Sequence, residues 1–389
     1  TAVYGPTFEL NLMLNPSQTV FDKFGLWRLP GEDKVPLPAD VRSIMYTSGT
    51  TGPAKGVLVT DVMLRASALG AIQASAPRKG DVFYVWEPFC HIGGAQMLLV
   101  PLLTEASLAI TERFSASQFW AEVVEMGATH IHHLGGILQI LLSRPSHALE
   151  RHHQVRVSWG AGMTPHIWKE AESRFGFVVH ECYGMTEMSS VVTVNRQGPE
   201  FGIGYPLPWF EVRIVMEHDG DSVGEIQVRG RVSGLETPGY LNNADAAKNP
   251  NGDGWWHTGD AAELGTDSQI FFRGRLNDSF RVRGENVSSW QVEHVFAEHD
   301  CVEQCAVLGV PARSGEQELL LLVKAAAGRV IDIPALMKWA RERIPEFQVP
   351  RYLQIVSDLP MTPSHRVAKG DITVDLEKVV DLRPNMGAK

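Results

Sequence analysis

A loop of small and hydroxyl residues, YTSGTTGPAKG at 46–56, is the stretch of this sequence best suited to binding phosphate. Backbone N–H groups and hydroxyls can surround phosphate oxygens, and Lys55 adds a positive charge. The loop does not fit the common GxxxxGK[ST] pattern, because Gly56 follows Lys55 and Gly52 is not adjacent to it. An ordinary solvated turn between a strand and a helix is the alternative, since glycine, serine and threonine are frequent in turns.

Four later segments carry further chemistry: YGMTE (183–187), GEIQVRG (224–230), GYLNNADAAKNPNGDGWWHTGD (239–260) and GRLNDSFRVRGENVSSWQVE (274–293). In the first of these segments, Thr186 has a hydroxyl that can donate a hydrogen bond, and Glu187 has a carboxylate of the kind that hard cations such as Mg²⁺ prefer. A carboxylate that caps the free N–H groups of a helix start is the alternative for Glu187.

In this order and at this spacing, the five segments resemble the motifs of the adenylate-forming superfamily, which includes acyl-CoA synthetases, luciferases and peptide-synthetase adenylation domains. The resemblance covers nearly the whole chain, although the family normally has a longer segment ahead of the first loop. Within the family, the chain is most similar to the acyl-CoA ligase branch. The resemblance implies an acid–thiol ligase that uses ATP or an acyl adenylate (acyl-AMP), Mg²⁺ and coenzyme A.

The resemblance also implies roles for individual residues. Asp260 would accept both ribose hydroxyls, with Arg275 as a nearby donor, and Tyr183 would offer a flat face to adenine, although a tyrosine at a strand end is usually core. The implied adenylate-binding residues are Thr47, Ser48, Gly49, Thr50, Thr51, Lys55, Gly160, Ala161, Gly162, Tyr183, Gly184, Met185, Thr186, Asp260 and Arg275. The implied catalytic residues are His91, Thr186, Glu187 and Arg366, with Glu187 as the metal ligand.

The acyl group would lie beside PFCHIGG (88–94) and the glycine-rich WGAGM (159–163). The family has an aromatic–His pair at Cys90–His91, so Cys90 is a departure that would enlarge the pocket; a satisfied core histidine is the alternative for His91. The implied acyl-pocket residues are Cys90, His91, Trp159, Met163, Met185 and Met188. No charged residue in these segments obviously awaits an amino group. We therefore expect a bulky apolar acid, because methionines adapt to irregular shapes.

The family's small C-terminal domain rotates about a hinge between two half-reactions, and the hinge position matches Asn277. Asparagine tolerates unusual backbone angles, so its presence is compatible with rotation. After rotation, the loop RVRGEN (281–286) would line a tunnel for coenzyme A. The implied coenzyme A-binding residues are Arg281, Arg283, Gly284 and Glu285, although single basic residues in loops are often only solvated.

The clearest departure from the family lies in LPMTPSHRVAKGD (359–371), where Arg366 stands at the position of the adenylating lysine and His365 replaces the usual glycine. Arginine's planar fork is larger than an ammonium and needs a different approach. We therefore expect impaired adenylation and an intact thioester-forming half, with a separate adenylating enzyme supplying the acyl adenylate. The alternatives are a complete ligase in which Arg366 or Lys369 suffices, acyl transfer to a carrier-protein thiol, and a non-enzymatic adenylate sensor.

Composition sets broader limits. The chain has 389 residues and a net charge of −10, which argues against nucleic-acid binding because phosphate contacts need clustered lysine and arginine. The sequence contains no apolar run of about 20 residues, the length that a membrane-spanning helix needs, so we predict no membrane span. The four cysteines are too few for a disulfide scaffold, so we expect a reduced, cytoplasmic protein. The first residue is Thr1 rather than Met, which suggests that a leading segment is missing.

Alternating strand-like and helix-like segments with glycine-rich connections predict an α/β fold with mostly parallel strands. We expect strands at 42–48, 81–88 and 106–113, helices at 60–75, 116–127 and 164–175, and a β-rich subdomain with hairpins after residue 203. The expected division is an N-terminal acyl- and adenylate-binding domain at 1–274 (incomplete at its start), a hinge at 275–277 and a mobile α+β domain at 278–389. That last domain should contain helices at 288–298 and 333–343 and strands at 303–310, 318–325 and 352–356.

Overall fold

The structure is a computed structural model that describes residues 3–4, 40–47, 55–218, 220–241, 252–282, 285–311, 317–362 and 367–382. The strands are β1 (Val3–Tyr4), β2 (Val41–Thr47), β3 (Lys55–Thr60), β4 (Val82–Val85), β5 (Ser107–Ile110), β6 (His130–Leu134), β7 (Val157–Ala161), β8 (Val178–Tyr183), β9 (Thr193–Asn195), β10 (Tyr205–Pro206), β11 (Phe210–Val215), β12 (Gly224–Gly230), β13 (Trp256–Leu264), β14 (Ile270–Arg275), β15 (Ser279–Val282), β16 (Glu285–Ser288), β17 (Val302–Pro311), β18 (Gln317–Ala325), β19 (Tyr352–Val356) and β20 (Val380–Asp381). The α-helices are α1 (Asp61–Ser75), α2 (Ile92–Ala95), α3 (Val100–Leu103), α4 (Phe119–Glu125), α5 (Gly135–Leu142), α6 (Pro165–Phe175), α7 (Ser289–Ala297) and α8 (Ile333–Arg341). Short 3₁₀ turns include Thr186–Met188, Leu276–Asp278 and Lys369–Asp371.

The centre of the fold is an eight-stranded sheet with the order β1-β5-β4-β6-β7-β8-β9-β10. Strands β5, β4, β6, β7 and β8 run parallel, and the outer strands are antiparallel. Helix α1 packs against one face, and α4, α5 and α6 pack against the other. The predicted α/β layers are confirmed. The carboxyl ends of the parallel strands meet at one edge, which is where ligands bind in such sheets.

Local signals explain the helices that frame this edge. Helix α1 begins after Thr60, whose hydroxyl accepts the N–H of Met63 at 3.2 Å. Helix α6 begins in the same way after Thr164, with Pro165 in its first turn, and ends at Gly176 in the left-handed conformation. Both helices coincide closely with the predicted ranges.

The glycine-rich loop at 46–56 connects two strands rather than a strand and a helix. Strands β2 and β3 pair antiparallel, with Thr47 opposite Lys55, and helix α1 begins only at Asp61. The alternative of a strand-to-helix turn is therefore wrong.

Antiparallel pairing dominates the region after residue 203, as predicted. Strands β11 to β14 form a four-stranded antiparallel sheet, and β11 and β12 pair from Phe210↔Gly230 to Val215↔Glu225. Strands β13 and β14 place Asp260 directly opposite Arg275. This sheet therefore carries two residues of the proposed adenylate site.

The C-terminal residues have their own sheet, β17-β18-β19-β20, and hydrophobic clusters that include helices α7 and α8. The five elements predicted here are all present. Ser288 donates to the backbone oxygen of Arg273 at 2.9 Å, and Trp290 meets Phe272 edge-on at 5.3 Å between ring centroids. These contacts join the segments on either side of Asn277, which lies in the turn Leu276–Asp278; its role as a hinge stays a prediction.

Within the described ranges, no helix is both long enough and apolar enough to cross a membrane.

Candidate active site

Asp260, Tyr183 and Arg275 form a connected polar group where β8 meets the β13–β14 hairpin. The Tyr183 hydroxyl donates to Oδ2 of Asp260 at 2.7 Å, and Arg275 Nε lies 3.2 Å from Oδ1. Asp260 is only 4% exposed. Burial and the nearby Asp260 charge raise the pKa of Tyr183 far above its usual range, so its proton stays in this hydrogen bond. The two oxygens of Asp260 are thus held in place by neighbours on both sides.

Glu187 belongs to a second polar group, together with Tyr240 and Lys55. The Tyr240 hydroxyl donates to Oε1 of Glu187 at 2.9 Å, and Lys55 Nζ lies 5.3 Å from the centre of the Tyr240 ring. Tyr240 comes from the GYLNN segment, so three of the predicted motifs meet here. Sequence reasoning missed Tyr240 as the residue that connects them.

The donor set around Glu187 fits Mg²⁺ held jointly by protein and substrate. Among the described residues, no group of three or more His, Cys, Asp or Glu side chains could form a metal site. A single carboxylate with phosphate oxygens and water completing the shell is the usual arrangement for Mg²⁺ in nucleotide sites. Glu187 is 9% exposed, and one of its oxygens is positioned by Tyr240.

Thr186 starts a tight 3₁₀ turn that is followed by unusual backbone. Ser189 and Ser190 both have positive φ, at 55° and 72°. Non-glycine residues in this region are uncommon and often mark functional turns. Gly184 is required just ahead, because a Cβ there would lie 1.6 Å from the backbone oxygen of Ser190. The motif YGMTE is therefore a compact turn whose backbone places Thr186 and Glu187 side by side.

The glycine-rich segment at the end of β7 is supported from behind by a buried carboxyl group. Glu181 Oε1 accepts the N–H groups of Gly162 at 2.6 Å and Met163 at 3.2 Å. Burial raises the pKa of Glu181 to about 8, although these two hydrogen bonds act in the opposite direction. Its other oxygen lies 3.7 Å from Nε2 of His133. Gly160 is also required, because a Cβ there would lie 1.7 Å from the His133 backbone oxygen.

The residues predicted for the acyl pocket do not all share one environment. Trp159, Met185 and Met188 belong to the cluster on the α1 face of the sheet. Met163 packs into the cluster on the opposite face. Cys90 is exposed, and His91 immediately precedes α2.

Sequence reasoning missed a second carboxylate at this edge. Glu87 follows β4 and lies with its Oε2 2.5 Å from Nδ1 of His132. The His132 ring packs against Trp159 with 4.3 Å between ring centroids. Glu87 lies near the end of the predicted strand at 81–88, whereas β4 stops at Val85. Nothing in the sequence pattern indicated that its side chain meets another strand.

In the C-terminal region, Arg281 lies in β15 and Glu285 lies in β16. These two strands pair as an antiparallel hairpin. Lys369, the alternative to Arg366, is engaged within this region. Its Nζ donates to Ser289 Oγ at 2.8 Å and lies 2.8 Å from Oε1 of Glu293.

Several predicted residues lie outside the described ranges, and their roles stay predictions. They are Ser48, Gly49, Thr50, Thr51, Arg283, Gly284, His365 and Arg366.

Comparison with known families identifies the family of this chain. The model of the family described as AMP-binding enzyme matches residues 8–241, and that of the AMP-binding enzyme C-terminal domain matches residues 291–366. The chain therefore belongs to the AMP-binding enzyme family, and the resemblance to adenylate-forming enzymes is confirmed.

Among curated proteins, the chain is 30% identical over 357 residues to the medium/long-chain fatty acid–CoA ligase FadD6 of Mycobacterium tuberculosis, covering 86% of this chain and 60% of the relative. It is 27% identical over 345 residues to the crotonobetaine/carnitine–CoA ligase of Salmonella arizonae, covering 86% of this chain and 67% of the relative. The chain spans about 60% of the length of the first of these relatives.

Solved structures show the same fold. The o-succinylbenzoate CoA synthetase (MenE) from Bacillus subtilis, in complex with its acyl-adenylate intermediate, has a TM-score of 0.71 and 24% identity over 84% of this chain and 68% of its own. The amide bond synthetase McbA from Marinactinospora thermotolerans has a TM-score of 0.73 and 25% identity over 86% of this chain and 69% of its own. The predicted fold class is confirmed.

Proposed function

We propose that this chain forms the coenzyme A thioester of a bulky, largely apolar carboxylic acid from an acyl adenylate, and that it is impaired in making that adenylate from ATP. The arrangement of Asp260, Tyr183 and Arg275 carries the adenylate part of the proposal. The Asp260 carboxylate is buried and oriented from two sides. Its motif resembles the family's segment leading to the ribose-binding aspartate.

In this proposal, both the ribose and the phosphate of the nucleotide have partners in the protein. Asp260 accepts ribose hydroxyls, and the Thr186 hydroxyl donates to the α-phosphate from its fixed turn. Mg²⁺, held by Glu187, would neutralise phosphate charge when ATP is bound. Tyr240 donates to the Glu187 carboxylate, and Lys55, at the end of the phosphate loop, lies over the Tyr240 ring.

Thioester formation then needs the acyl carbonyl to be held beside the adenylate while the thiol attacks and AMP leaves. Backbone of the WGAGM segment, positioned by Glu181, would lie against the acyl group and adenine. Arg281, Arg283, Gly284 and Glu285 would meet coenzyme A after the C-terminal region rotates about Asn277. Acyl transfer to a carrier-protein thiol is the alternative acceptor.

Two observations support impaired adenylation. Arg366 stands where the family has its lysine. Lys369, the nearest substitute in sequence, is held by Ser289 and by Glu293, a carboxyl group whose pKa is raised by burial and lowered in part by this same lysine. Withdrawing Lys369 would leave the Glu293 carboxylate buried without its cation, which typically costs about 3–5 kcal/mol. On this proposal a second enzyme supplies the acyl adenylate.

The test measures the two half-reactions separately. We expect rapid thioester formation from supplied acyl adenylate and coenzyme A, and ATP–pyrophosphate exchange with the free acid that is slower by about 10²–10³, the usual cost of losing a placed electrostatic stabiliser. Arg366→Lys should recover part of the exchange, whereas Lys369→Arg should not. Exchange as fast as thioester formation in the unmodified protein would make this a complete ligase instead.

The adenylate site is tested by Asp260→Ala. We expect acyl-adenylate binding to weaken by about 2–4 kcal/mol, because a buried charged hydrogen-bond acceptor is lost. Isothermal calorimetry with a stable acyl-sulfamoyl adenosine measures this loss. Asp267→Ala, at the exposed turn of the same β13–β14 hairpin, is the matched control and should bind as the parent does. Equal binding by the two variants would refute the role of Asp260.

A further inference from the structure

Glu87 and His132 form a polar pair at the carboxyl edge of the central sheet. Strands β4 and β6 are parallel neighbours, so residues just beyond or near their ends lie side by side. Glu87 is 9% exposed, and its Oε2 lies 2.5 Å from Nδ1 of His132. A carboxylate is rarely this buried unless something pairs with it.

Two segments assigned to the acyl pocket lie on either side of this pair. On one side is PFCHIGG: a Cβ on Gly93 would lie 2.5 Å from Oε2 of Glu87, so the carboxylate lies directly against this glycine. On the other side is WGAGM, because the His132 ring packs on Trp159. The pair therefore lies where the two segments approach each other.

Glu87 thus borders PFCHIGG directly and WGAGM through the His132 ring, two of the segments around the proposed acyl group.

The chemistry of the pair indicates what it binds. A pocket for hydrocarbon alone would be better lined by apolar side chains, because burying a carboxylate is costly. A carboxylate has about four acceptor sites, and the described contact with His132 is made to one oxygen of Glu87, Oε2. A hydroxyl is a small donor that can satisfy one of the remaining acceptor sites.

We propose that Glu87 and His132 form a polar subsite of the acyl pocket that binds a hydroxyl group on the acyl part of the substrate. The preferred acid is then a bulky, otherwise apolar hydroxy acid, whose hydroxyl donates to Glu87. This inference rests on the proposed function and narrows its substrate class.

Binding of stable acyl-sulfamoyl adenosines tests the subsite without requiring turnover. The panel contains matched pairs of cyclic acyl groups, with and without one hydroxyl, and with that hydroxyl at increasing distance from the carboxyl carbon. A site built to bond a hydroxyl rejects the analogue that lacks it, because its buried polar group is left unpaired. For at least one hydroxyl position, we expect the hydroxylated ligand to bind about 10–10²-fold more tightly than its partner.

Variants test whether the preference for a hydroxylated ligand depends on Glu87. Glu87→Leu should abolish or reverse the preference, and Glu87→Gln, which keeps an acceptor oxygen and the side-chain volume, should retain part of it. The control is Glu122→Gln, which alters the carboxylate that accepts the Tyr84 hydroxyl at 2.6 Å, next to the same β4 strand. That control should keep the full preference.

The outcomes separate this inference from the proposed function. Failure to form thioester from any acyl adenylate overturns the proposed function, whereas the binding ratios still report on the subsite. Equal or tighter binding of every deoxy analogue by the parent overturns the subsite. Preference for an amino-substituted acyl group over the hydroxylated one also overturns it, in favour of a cationic substrate.

Discussion

Two carboxylate–imidazole pairs lie within a few residues of each other at the same edge of the sheet, on opposite faces. His132 and His133 are successive residues of β6, so their side chains point to opposite sides. His132 pairs with Glu87 on the face covered by α1, and His133 faces Glu181 on the other.

The two pairs differ in what else holds them. Glu181 accepts two backbone N–H groups, and His133 Nδ1 lies 2.8 Å from Ser158 Oγ, so both partners are tied into the sheet. The His133 side chain is fully buried, and burial holds its pKa well below the usual range. With the pKa of Glu181 at about 8, the pair is uncharged at neutral pH: the carboxyl keeps its proton and the imidazole is neutral.

The Glu87–His132 pair is the less enclosed of the two. Its side chains are 7% and 11% exposed, and its atoms approach to 2.5 Å. The contrast indicates that Glu181 acts as an internal support for the WGAGM backbone, while Glu87 is positioned to meet a ligand. The same pairing of residue types therefore serves packing on one face and recognition on the other.

The largest expected difference is in stability. Glu181→Ala removes the acceptor of two buried N–H groups and leaves a cavity, so we expect a loss of about 3–5 kcal/mol in the free energy of unfolding. Urea unfolding followed by tryptophan fluorescence measures it, and hydrogen exchange at the amides of Gly162 and Met163 should accelerate. Glu87→Ala is the control, with a much smaller loss. If Glu181→Ala is as stable as that control, Glu181 is not a support.

These same residues show which features of the fold and the site could be predicted from the sequence. Tyr183, Thr186, Glu187 and Asp260, the residues proposed to bind the adenylate, lie in contiguous motifs, so the resemblance of those motifs to the family pointed to them. The layers, the helices and the antiparallel subdomain followed from the alternation of strand-like and helix-like segments, their glycine-rich connections and the hairpin-like segments after residue 203.

Contacts between strands could not be found in this way. Glu87 and His132 are brought together only by the parallel pairing of β4 and β6, and Glu181 meets Gly162 and Met163 only across β7 and β8. Nothing in the local sequence records such a partner. The same holds for Lys369, whose bond to Glu293 appears only once the C-terminal segment folds onto α7.

The second-largest expected effect is a pH dependence of the free energy of unfolding that is caused by Glu181. Its pKa is about 8 in the folded protein and 4.5 ordinarily, so the folded state binds the extra proton between these values and stability falls as pH rises through this window. Glu181→Gln mimics the protonated acid and does not titrate. Relative to that variant, the parent should lose about 2–3 kcal/mol of unfolding free energy between pH 6 and pH 8.

Parallel urea titrations of the two proteins give this difference directly, because His133, Cys182 and all other groups are common to both. A stability difference between the two proteins that stays constant over this range would mean that the carboxyl is already ionised in the folded protein. Glu181 would then carry a charge at neutral pH, and the inner pair would not be the uncharged support described above.

The smallest expected effect is that of Glu87→Gln on stability. Among the described hydrogen bonds, none joins the Glu87 carboxylate to a backbone N–H, and glutamine keeps an oxygen that can face His132. Exchanging one polar partner in a pair that borders the ligand side should change the unfolding free energy by about 1 kcal/mol or less. The same urea experiment measures it, with Glu181→Ala as the reference for a structural carboxyl. A loss as large as that of the reference would show that Glu87 supports the fold itself, and its burial would then need no substrate hydroxyl to explain it.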